Sequence, residues 1–157
     1  SVFAPITLQT FGVLLAGAVL GARRGALAVL LWILVGAVGL PVFANGKAGL
    51  PVLVGPTGGY ILGFVVGAAI IGAVATVAVR RAGRGTVWVL TAGGLLALLV
   101  VHAAGIVGLH LRAGLGWQAA ATVDGAFWIG DLVKLAATVL VAGAVHRAFP
   151  DLLRRRT

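Results

Sequence analysis

The chain has 157 residues and a net charge of +9, with 61% hydrophobic and only 10% charged residues. An ordinary soluble domain carries about 25% charged residues, so this chain has too few polar side chains to cover a soluble core. It contains no cysteine and no glutamate, and its only serine is Ser1. The composition therefore excludes disulfides, thiolate metal ligands and a soluble globular enzyme, and it predicts an integral membrane protein.

Five apolar runs approach the length of about 20 residues that a helix needs to cross a bilayer. In chain order they cover residues 6–20, 26–43, 57–79, 86–111 and 127–149. The first run is short, and the last contains two charged side chains, Asp131 and Lys134. The sequence thus predicts an all-α integral membrane protein, with residues 1–157 forming a single transmembrane domain of about five helices.

The cations indicate how these helices are oriented. If the chain crosses the membrane at each run, nine arginines fall on one side: Arg23, Arg24, Arg80, Arg81, Arg84, Arg147, Arg154, Arg155 and Arg156. Two loop cations, Lys47 and Arg112, fall on the other side. Because Lys and Arg are in excess in cytoplasmic loops, the C-terminus is predicted to be cytoplasmic. This explanation of the positive charge favours a lipid bilayer over a nucleic acid as the partner.

The sequence contains no Met, so we expect a further N-terminal segment before Ser1. One more helix there would return the start of the chain to the cytoplasm.

Small residues four apart recur in the apolar runs and allow close contact between helices. The pairs are Gly12/Ala16, Gly63/Gly67 and Ala68/Gly72. Packing inside the bundle is the favoured interpretation, and a seam between two copies of the chain is the alternative.

Asp131 and Lys134 are three residues apart, which places them on one helix face inside the last apolar run. Each charge there costs on the order of 3 kcal/mol, so both must face a cavity or a partner. The pair is either the polar floor of a ligand pocket or a self-neutralising pair that fixes helix packing. The pocket is favoured because Gln9, Asn45 and Thr57 are predicted on the same side of the membrane.

A pocket of this kind is mostly apolar, with a few fixed polar groups. An ionised Asp131 accepts hydrogen bonds from N–H groups, Lys134 suits a carboxylate, and Asn45 can donate or accept. A ligand with an amide-like head, an apolar body and a carboxylate would use all three residues.

Other chemistry finds little support in the residues. His102, His110 and His146 are scattered, and a bond to a neighbouring helix is favoured for His102 over a proton relay. No spacing of His and Asp resembles a metal site, and the sequence lacks a phosphate-binding loop. We therefore expect neither a metal nor a cofactor, and no ATPase site of the chain's own.

Several segments, in order along nearly the whole chain, resemble the BioY family, the biotin-binding substrate-capture components of energy-coupling factor (ECF) transporters. They are Pro-Ile-Thr-Leu-Gln-Thr at 5–10, Leu-Ala-Gly at 15–17, Leu-Gly at 20–21, Gly-Ala-Val-Gly-Leu-Pro-Val-Phe at 36–43, Gly-Pro-Thr-Gly-Gly-Tyr at 55–60 and Gly-Asp-Leu-Val-Lys at 130–134. The last two segments together are the most specific.

The resemblance implies a six-helix fold of which the first helix is absent here. It implies a multi-pass protein of the prokaryotic cell membrane that is not an enzyme and captures biotin from outside for uptake. It also implies a coupling transmembrane subunit and two cytoplasmic ATPase subunits as partners, although some family members work without them.

By the same resemblance, contact with biotin is expected at Asp131, Lys134 and Asn45. Second-rank contacts are Thr7, Gln9, Phe43, Pro56, Thr57, Tyr60 and Trp128. Asp131 is assigned to the ureido N–H groups and Lys134 to the carboxylate. The alternative, in which Lys134 only holds Asp131, stays open at this point.

Three other hypotheses remain. The chain could capture another small vitamin, or it could be a structural membrane subunit without a ligand. An ion or proton channel is disfavoured because the inner halves of the predicted helices are almost entirely apolar.

Overall fold

The computed structural model describes residues 7–81 and 86–153, and the described part is helical. Its elements are α1 (Gln9–Leu20), α2 (Ala22–Ala37), a 3₁₀ turn (Ala44–Gly46), α3 (Leu50–Val54), α4 (Gly58–Arg81), α5 (Thr86–Ala113) and α6 (Trp117–Ala148). Within the described residues, α4, α5 and α6 are long and apolar enough to cross a membrane, and α1 is a shorter apolar helix.

The five predicted helices correspond to α1, α2, α4, α5 and α6, but the prediction placed one end of α2 wrongly. It extended this helix to Phe43, whereas α2 ends at Ala37. Gly39 adopts φ 112°, which a right-handed helix does not allow, and Pro41 follows two residues later. The apolar residues after Ala37 therefore form a loop that folds back onto α2.

The prediction also placed the start of α6 wrongly, at residue 127 instead of Trp117. The ten extra residues include Gln118, Thr122 and Asp124, whose polarity is typical of a loop. In the structure the Thr122 hydroxyl donates to the Gln118 carbonyl one turn earlier at 2.8 Å. Asp124 is buried and hydrogen-bonded to other helices, so its polarity does not end the helix.

Helix α4 is the centre of the bundle and packs against α1, α2, α3 and α5, while α6 packs against α5 and α1. Glycines make the closest of these contacts. A Cβ placed on Gly63 would lie 3.1 Å from the Ala104 side chain, and one on Gly72 would lie 2.5 Å from the backbone of Ala22. Two of the three predicted small-residue pairs therefore pack within the chain, whereas Gly12 has open space beside it.

One end of the bundle, which we call the closed end, contains Gly21, Thr76 and Leu153. A Cβ on Gly21 would lie 3.2 Å from the Leu153 side chain and 3.5 Å from the Thr76 hydroxyl. His146 Nε2 bonds to the Ala18 carbonyl at 2.8 Å and ties α6 to α1. The apolar core of this half comprises Leu14, Ala18, Ile71, Ala75, Ala78, Val79, Leu90, Ala97, Leu98, Leu135, Val139, Ala142 and Leu153.

The opposite end, which we call the cavity end, contains Phe43, Gly58 and Arg112. The Arg112 guanidinium donates to the Leu53 carbonyl at 2.6 Å, which holds α3 against α5. Four exposed arginines of the predicted cationic side lie at the closed end: Arg23, Arg24, Arg80 and Arg147. Arg84 and residues 154–156, assigned to the same side, lie outside the described residues.

Candidate ligand-binding site

A cavity of about 270 Å³ opens at the cavity end, between α1, α4, α6 and the loop that follows α2. Nine of the ten residues predicted to contact a ligand line it: Thr7, Gln9, Phe43, Asn45, Pro56, Thr57, Tyr60, Asp131 and Lys134. The structure thus brings together residues that are more than 120 positions apart in the sequence. Ile61, Phe64, Val101 and Phe127 supply apolar wall between the polar groups.

The loop after α2 forms one wall of the cavity because it is pinned back onto α2. The Gly49 N–H donates to the Gly36 carbonyl at 2.7 Å, and Trp32 Nε1 donates to the Val42 carbonyl at 3.2 Å. The Phe43 ring lies edge-on to Trp32 with centroids 5.2 Å apart. It also fills the space where Gly36 lacks a side chain. These contacts hold the loop residues that face the cavity.

Asn45 has a backbone conformation that suits a fixed ligand contact. Its φ is 59°, and it is the one non-glycine residue with positive φ in the described chain. Asparagine enters this left-handed region more readily than most residues, and the neighbouring Gly46 (φ 68°) does so without cost. The fold therefore constrains the backbone of Asn45, whose side chain lines the cavity.

Asp131 and Lys134 pair as their spacing predicted, with 2.8 Å between Nζ and Oδ1. The Asp131 side chain is 6% exposed and the Lys134 side chain 13%. Both border the cavity from α6, so the ion pair is part of its wall. Because Lys134 contacts Oδ1, the second carboxyl oxygen of Asp131, Oδ2, is available to another partner.

Behind this wall, Asp124 is hydrogen-bonded to three side chains while being only 2% exposed. The Tyr60 hydroxyl donates to Oδ1 at 2.8 Å, and Trp128 Nε1 donates to Oδ2 at 3.1 Å. His102 Nδ1 lies 2.7 Å from Oδ1. A single carboxylate therefore joins α4, α5 and α6.

His102 connects this carboxylate to the cavity wall. Its Nε2 lies 3.3 Å from Asp131 Oδ2, which is ion-pair distance without the alignment of a hydrogen bond. Its ring stacks on Trp128, with centroids 4.3 Å apart. We refer to Tyr60, His102, Asp124 and Trp128 as the buried network. No group of metal-ligating side chains in the described residues has the arrangement to hold a metal ion.

The buried network changes the assignment of three residues. Trp128, predicted to contact a ligand, does not line the cavity, because its indole is directed to Asp124 and His102. The prediction that His102 bonds to a neighbouring helix is confirmed by its contact with α6. Asp124 was given no role, although it lies seven residues before Asp131 and hence on the same helix face. That spacing was the signal that could have identified it.

Lys47 is another cavity residue that the sequence analysis did not assign to the site. It follows Asn45 and Gly46 in the pinned loop and is exposed. The signal for it was its place in the same short loop as Asn45, on the side of the membrane where the site was predicted. The cavity therefore has a second cation besides Lys134.

The fold and the cavity indicate the class of protein. It is an all-α membrane protein with a mixed polar and apolar small-molecule cavity at one end of its helix bundle. The BioY family model matches residues 1–151. The chain belongs to the BioY family.

Named relatives are similar in sequence to this protein over most of its length. A biotin transporter BioY of Rhizobium etli is 40% identical over 154 residues, covering 96% of this chain and 82% of the relative. One from Rhodobacter capsulatus is 41% identical over 165 residues, covering 97% and 84%. The fold is similar to that of the S-component for biotin from an ECF-type ABC transporter. The TM-score is 0.82 at 24% identity, with 92% of this chain and 76% of the other covered.

Proposed function

We propose that this protein captures biotin in the cavity and serves its uptake, as the substrate-binding subunit of an ECF transporter. The observation that carries the proposal is the cavity wall itself, where the Asp131–Lys134 pair lies among apolar side chains such as Phe64 and Phe127. Biotin has a ureido ring with two N–H donors and a carbonyl, an apolar thioether ring and a carboxylate. The match of these groups to the wall, and the names of the relatives, support the proposal.

The polar groups of the cavity wall suggest which residue binds each polar group of biotin. Asp131 accepts from the ureido N–H groups, and the Asn45 amide can donate to the ureido carbonyl. Lys134 takes the carboxylate by leaving Asp131. The exposed Lys47 is the other cation that lines the cavity, so it is the alternative partner for the carboxylate if Lys134 stays on Asp131.

Calorimetry on the detergent-solubilised protein tests the substrate. Biotin should bind saturably at one site, desthiobiotin should compete, and riboflavin should not bind. A well-folded sample that binds riboflavin but not biotin would support capture of another vitamin. A sample that binds neither, even with coupling subunits added, would contradict the proposal and favour a structural subunit.

Substitution of the two lysines separates the carboxylate partners. We expect Lys134→Ala to weaken biotin strongly but biotin methyl ester less, and Lys47→Ala to affect both ligands little. The reverse pattern would assign the carboxylate to Lys47 and leave Lys134 as a partner of Asp131.

We further propose that the closed end faces the cytoplasm, so that the C-terminus is cytoplasmic and the cavity end lies outside. The four described arginines at the closed end support this orientation under the positive-inside rule. The chain has no cysteine, so a single introduced cysteine is the only site that a thiol reagent can label. In intact cells, an impermeant maleimide should label Gly116→Cys at the cavity end and not Ala148→Cys at the closed end; the opposite labelling would invert the topology.

A coupling transmembrane subunit and two cytoplasmic ATPase subunits are the proposed partners, and self-association is the alternative. Co-expression followed by purification on a tagged chain tests both. Recovery of an ATPase, with biotin uptake that depends on ATP, supports the ECF assembly. A complex of only this chain that takes up biotin would favour the homo-oligomer.

A further inference from the structure

Four ionisable side chains form an unbroken line inside the bundle, in the order Asp124, His102, Asp131 and Lys134. The successive contacts are 2.7, 3.3 and 2.8 Å long. Only Asp131 and Lys134 border the cavity. Contact with a ligand therefore does not explain why Asp124 and His102 are each only 2% exposed in a membrane protein.

The donors around Asp124 indicate its charge. The indole N–H of Trp128 can only donate, and it is directed to Oδ2. The Tyr60 hydroxyl and His102 Nδ1 both approach Oδ1. The two directed donors, Tyr60 and Trp128, reach both carboxyl oxygens, which favours an ionised Asp124 with the bonding hydrogen on His102 Nδ1.

The second ring nitrogen of His102 faces another carboxylate. Nε2 is fully buried and has no hydrogen-bond partner in the described structure, with Asp131 Oδ2 the facing group at 3.3 Å. Asp131 is ionised because it accepts the Lys134 ammonium. A lone pair on Nε2 would face this negative oxygen, whereas an N–H would be attracted to it. The arrangement therefore favours hydrogen on both ring nitrogens.

We propose that His102 is a protonated counter-ion, held by Asp124, which positions Asp131 and balances its charge so that the cavity accepts an anionic ligand. With His102 charged, its own charge and that of Lys134 cancel the two aspartates. With His102 neutral, the group carries one negative charge and repels a carboxylate. His102 also keeps Asp131 paired when Lys134 moves to the ligand. This inference rests on the proposed function for its ligand, but the charge of His102 does not.

The other titratable or charged groups near His102 fit this balance. Tyr60 on α4 is hydrogen-bonded to Asp124, and Lys47 lies in the loop on the cavity wall. Of the charged residues on α5, the described Arg112 is directed to the Leu53 carbonyl at the cavity end. None of these groups supplies the positive charge that the two buried aspartates require at His102.

His110 offers a matched control on the same helix. It also stacks on a tryptophan, Trp117, with centroids 4.0 Å apart, and its Nδ1 bonds to an oxygen at 2.7 Å. That oxygen is the backbone carbonyl of Leu115, so His110, which is partly buried, shares the stacking and the Nδ1 bond of His102 but has no carboxylate partner. A change at His110 therefore reproduces the loss of a stacked histidine but not the loss of the counter-ion.

The charge of His102 is measured without any ligand, by ¹⁵N NMR of the full chain labelled at histidine in nanodiscs. The combined His110→Gln and His146→Gln variant leaves His102 as the remaining histidine signal. At pH 8 we expect two ring nitrogens of similar shift, as in the imidazolium cation. Two widely separated shifts would show a neutral ring and overturn the inference, whatever the protein binds.

Binding by calorimetry tests the consequence with biotin and its uncharged methyl ester. We expect His102→Gln to weaken biotin about tenfold more than the ester, because a buried charge loses its partner. Asp124→Asn should act in the same direction, and His110→Gln should leave the ratio of the two affinities at its wild-type value. Equal losses for both ligands in the His102 variant would indicate packing alone and contradict the inference. If the wild type binds neither ligand, the proposed function fails while the NMR result still decides the charge.

Discussion

Each half of the bundle has an apolar core, but the two halves differ in the polar side chains that they bury. At the closed end the core is made of aliphatic residues, and the buried polar side chains described there, Thr138 and His146, each bond to a backbone carbonyl. At the cavity end Asp124, Asp131 and His102 are buried together beside an open volume of about 270 Å³. Helices α4, α5 and α6 contribute to both halves, whereas the loop after α2 contributes to the cavity end.

Because of this difference, the cavity end can bind a ligand, whereas the closed end blocks its passage. A polar ligand in the cavity meets the packed aliphatic core on its way to the closed end, where Leu98, Ile71 and Ala142 are fully buried. Release towards the closed end therefore requires a rearrangement of helices or of the whole subunit.

The strongest way to break the cavity end is to remove the charge of Asp131. Asp131→Asn should abolish tight biotin binding and lower stability by about 3–5 kcal/mol, because Lys134 and His102 lose their shared buried partner. Calorimetry and thermal unfolding in detergent measure the two effects. Asp151→Asn is the control for binding and should leave biotin affinity unchanged, because Asp151 does not line the cavity. Wild-type affinity in both Asp131→Asn and Lys134→Ala would contradict the site assignment.

A large-to-small substitution in the closed end should lower stability but leave biotin affinity nearly unchanged. Leu98→Ala removes a fully buried side chain from the aliphatic core and should cost about 2–5 kcal/mol of stability. Biotin affinity below the unfolding temperature should stay within about twofold of the wild type, since Leu98 does not line the cavity. Leu99→Ala, at an exposed neighbouring position, is the matched control. Loss of affinity in Leu98→Ala would show that the two halves are energetically coupled.

An added methyl group can disturb the buried network without removing any of its polar atoms. A Cβ at Gly105 would overlap the Tyr60 ring, so Gly105→Ala should displace the Tyr60 hydroxyl from Asp124. Overpacking of this kind costs about 1–3 kcal/mol, and we expect biotin affinity to fall with stability. Gly125→Ala on α6, where a Cβ meets nothing within 4 Å, should leave biotin affinity unchanged and should not lower stability. An unaffected Gly105→Ala protein would mean that the Tyr60 bond does not support the site.

The smallest effect is expected at Asn45, where two substitutions separate the amide from the backbone. Asn45→Gly keeps the positive φ but removes the amide, so it should weaken biotin with little change in stability. Asn45→Ala should lose the same affinity and an additional 1–2 kcal/mol or so of stability, because alanine resists the left-handed region. Binding equal to the wild type in Asn45→Gly would remove Asn45 from the contacts.

Local patterns in the sequence predicted the helices and the Asp131–Lys134 pair, because both depend on residues a few positions apart. The ends of α2 and α6 were harder to predict. Apolar residues after Ala37 form a loop because it packs onto α2, and polar residues before Phe127 stay helical because Asp124 finds partners on other helices. In both cases a tertiary contact overrides the local signal.

The identity of the partners in the buried network could not be predicted for the same reason, although spacing places Asp124 on the helix face of Asp131. His102 and Asp124 are 22 positions apart on different helices, and Tyr60 and Asp124 are 64 apart. Their contacts depend on how α4, α5 and α6 pack. The resemblance to a known family pointed to most of the cavity residues, but it placed Trp128 beside a ligand and left Asp124 and Lys47 without a role.

The unequal lengths of the helices have a consequence for the surrounding lipid. The 12 residues of α1 and the 16 of α2 rise about 18 and 24 Å at 1.5 Å per residue, whereas the 32 of α6 rise about 48 Å. A hydrocarbon layer of about 30 Å cannot match both sides of the perimeter at once. The hydrocarbon layer should be thinner than average beside α1 and α2, and of average or greater thickness beside α6.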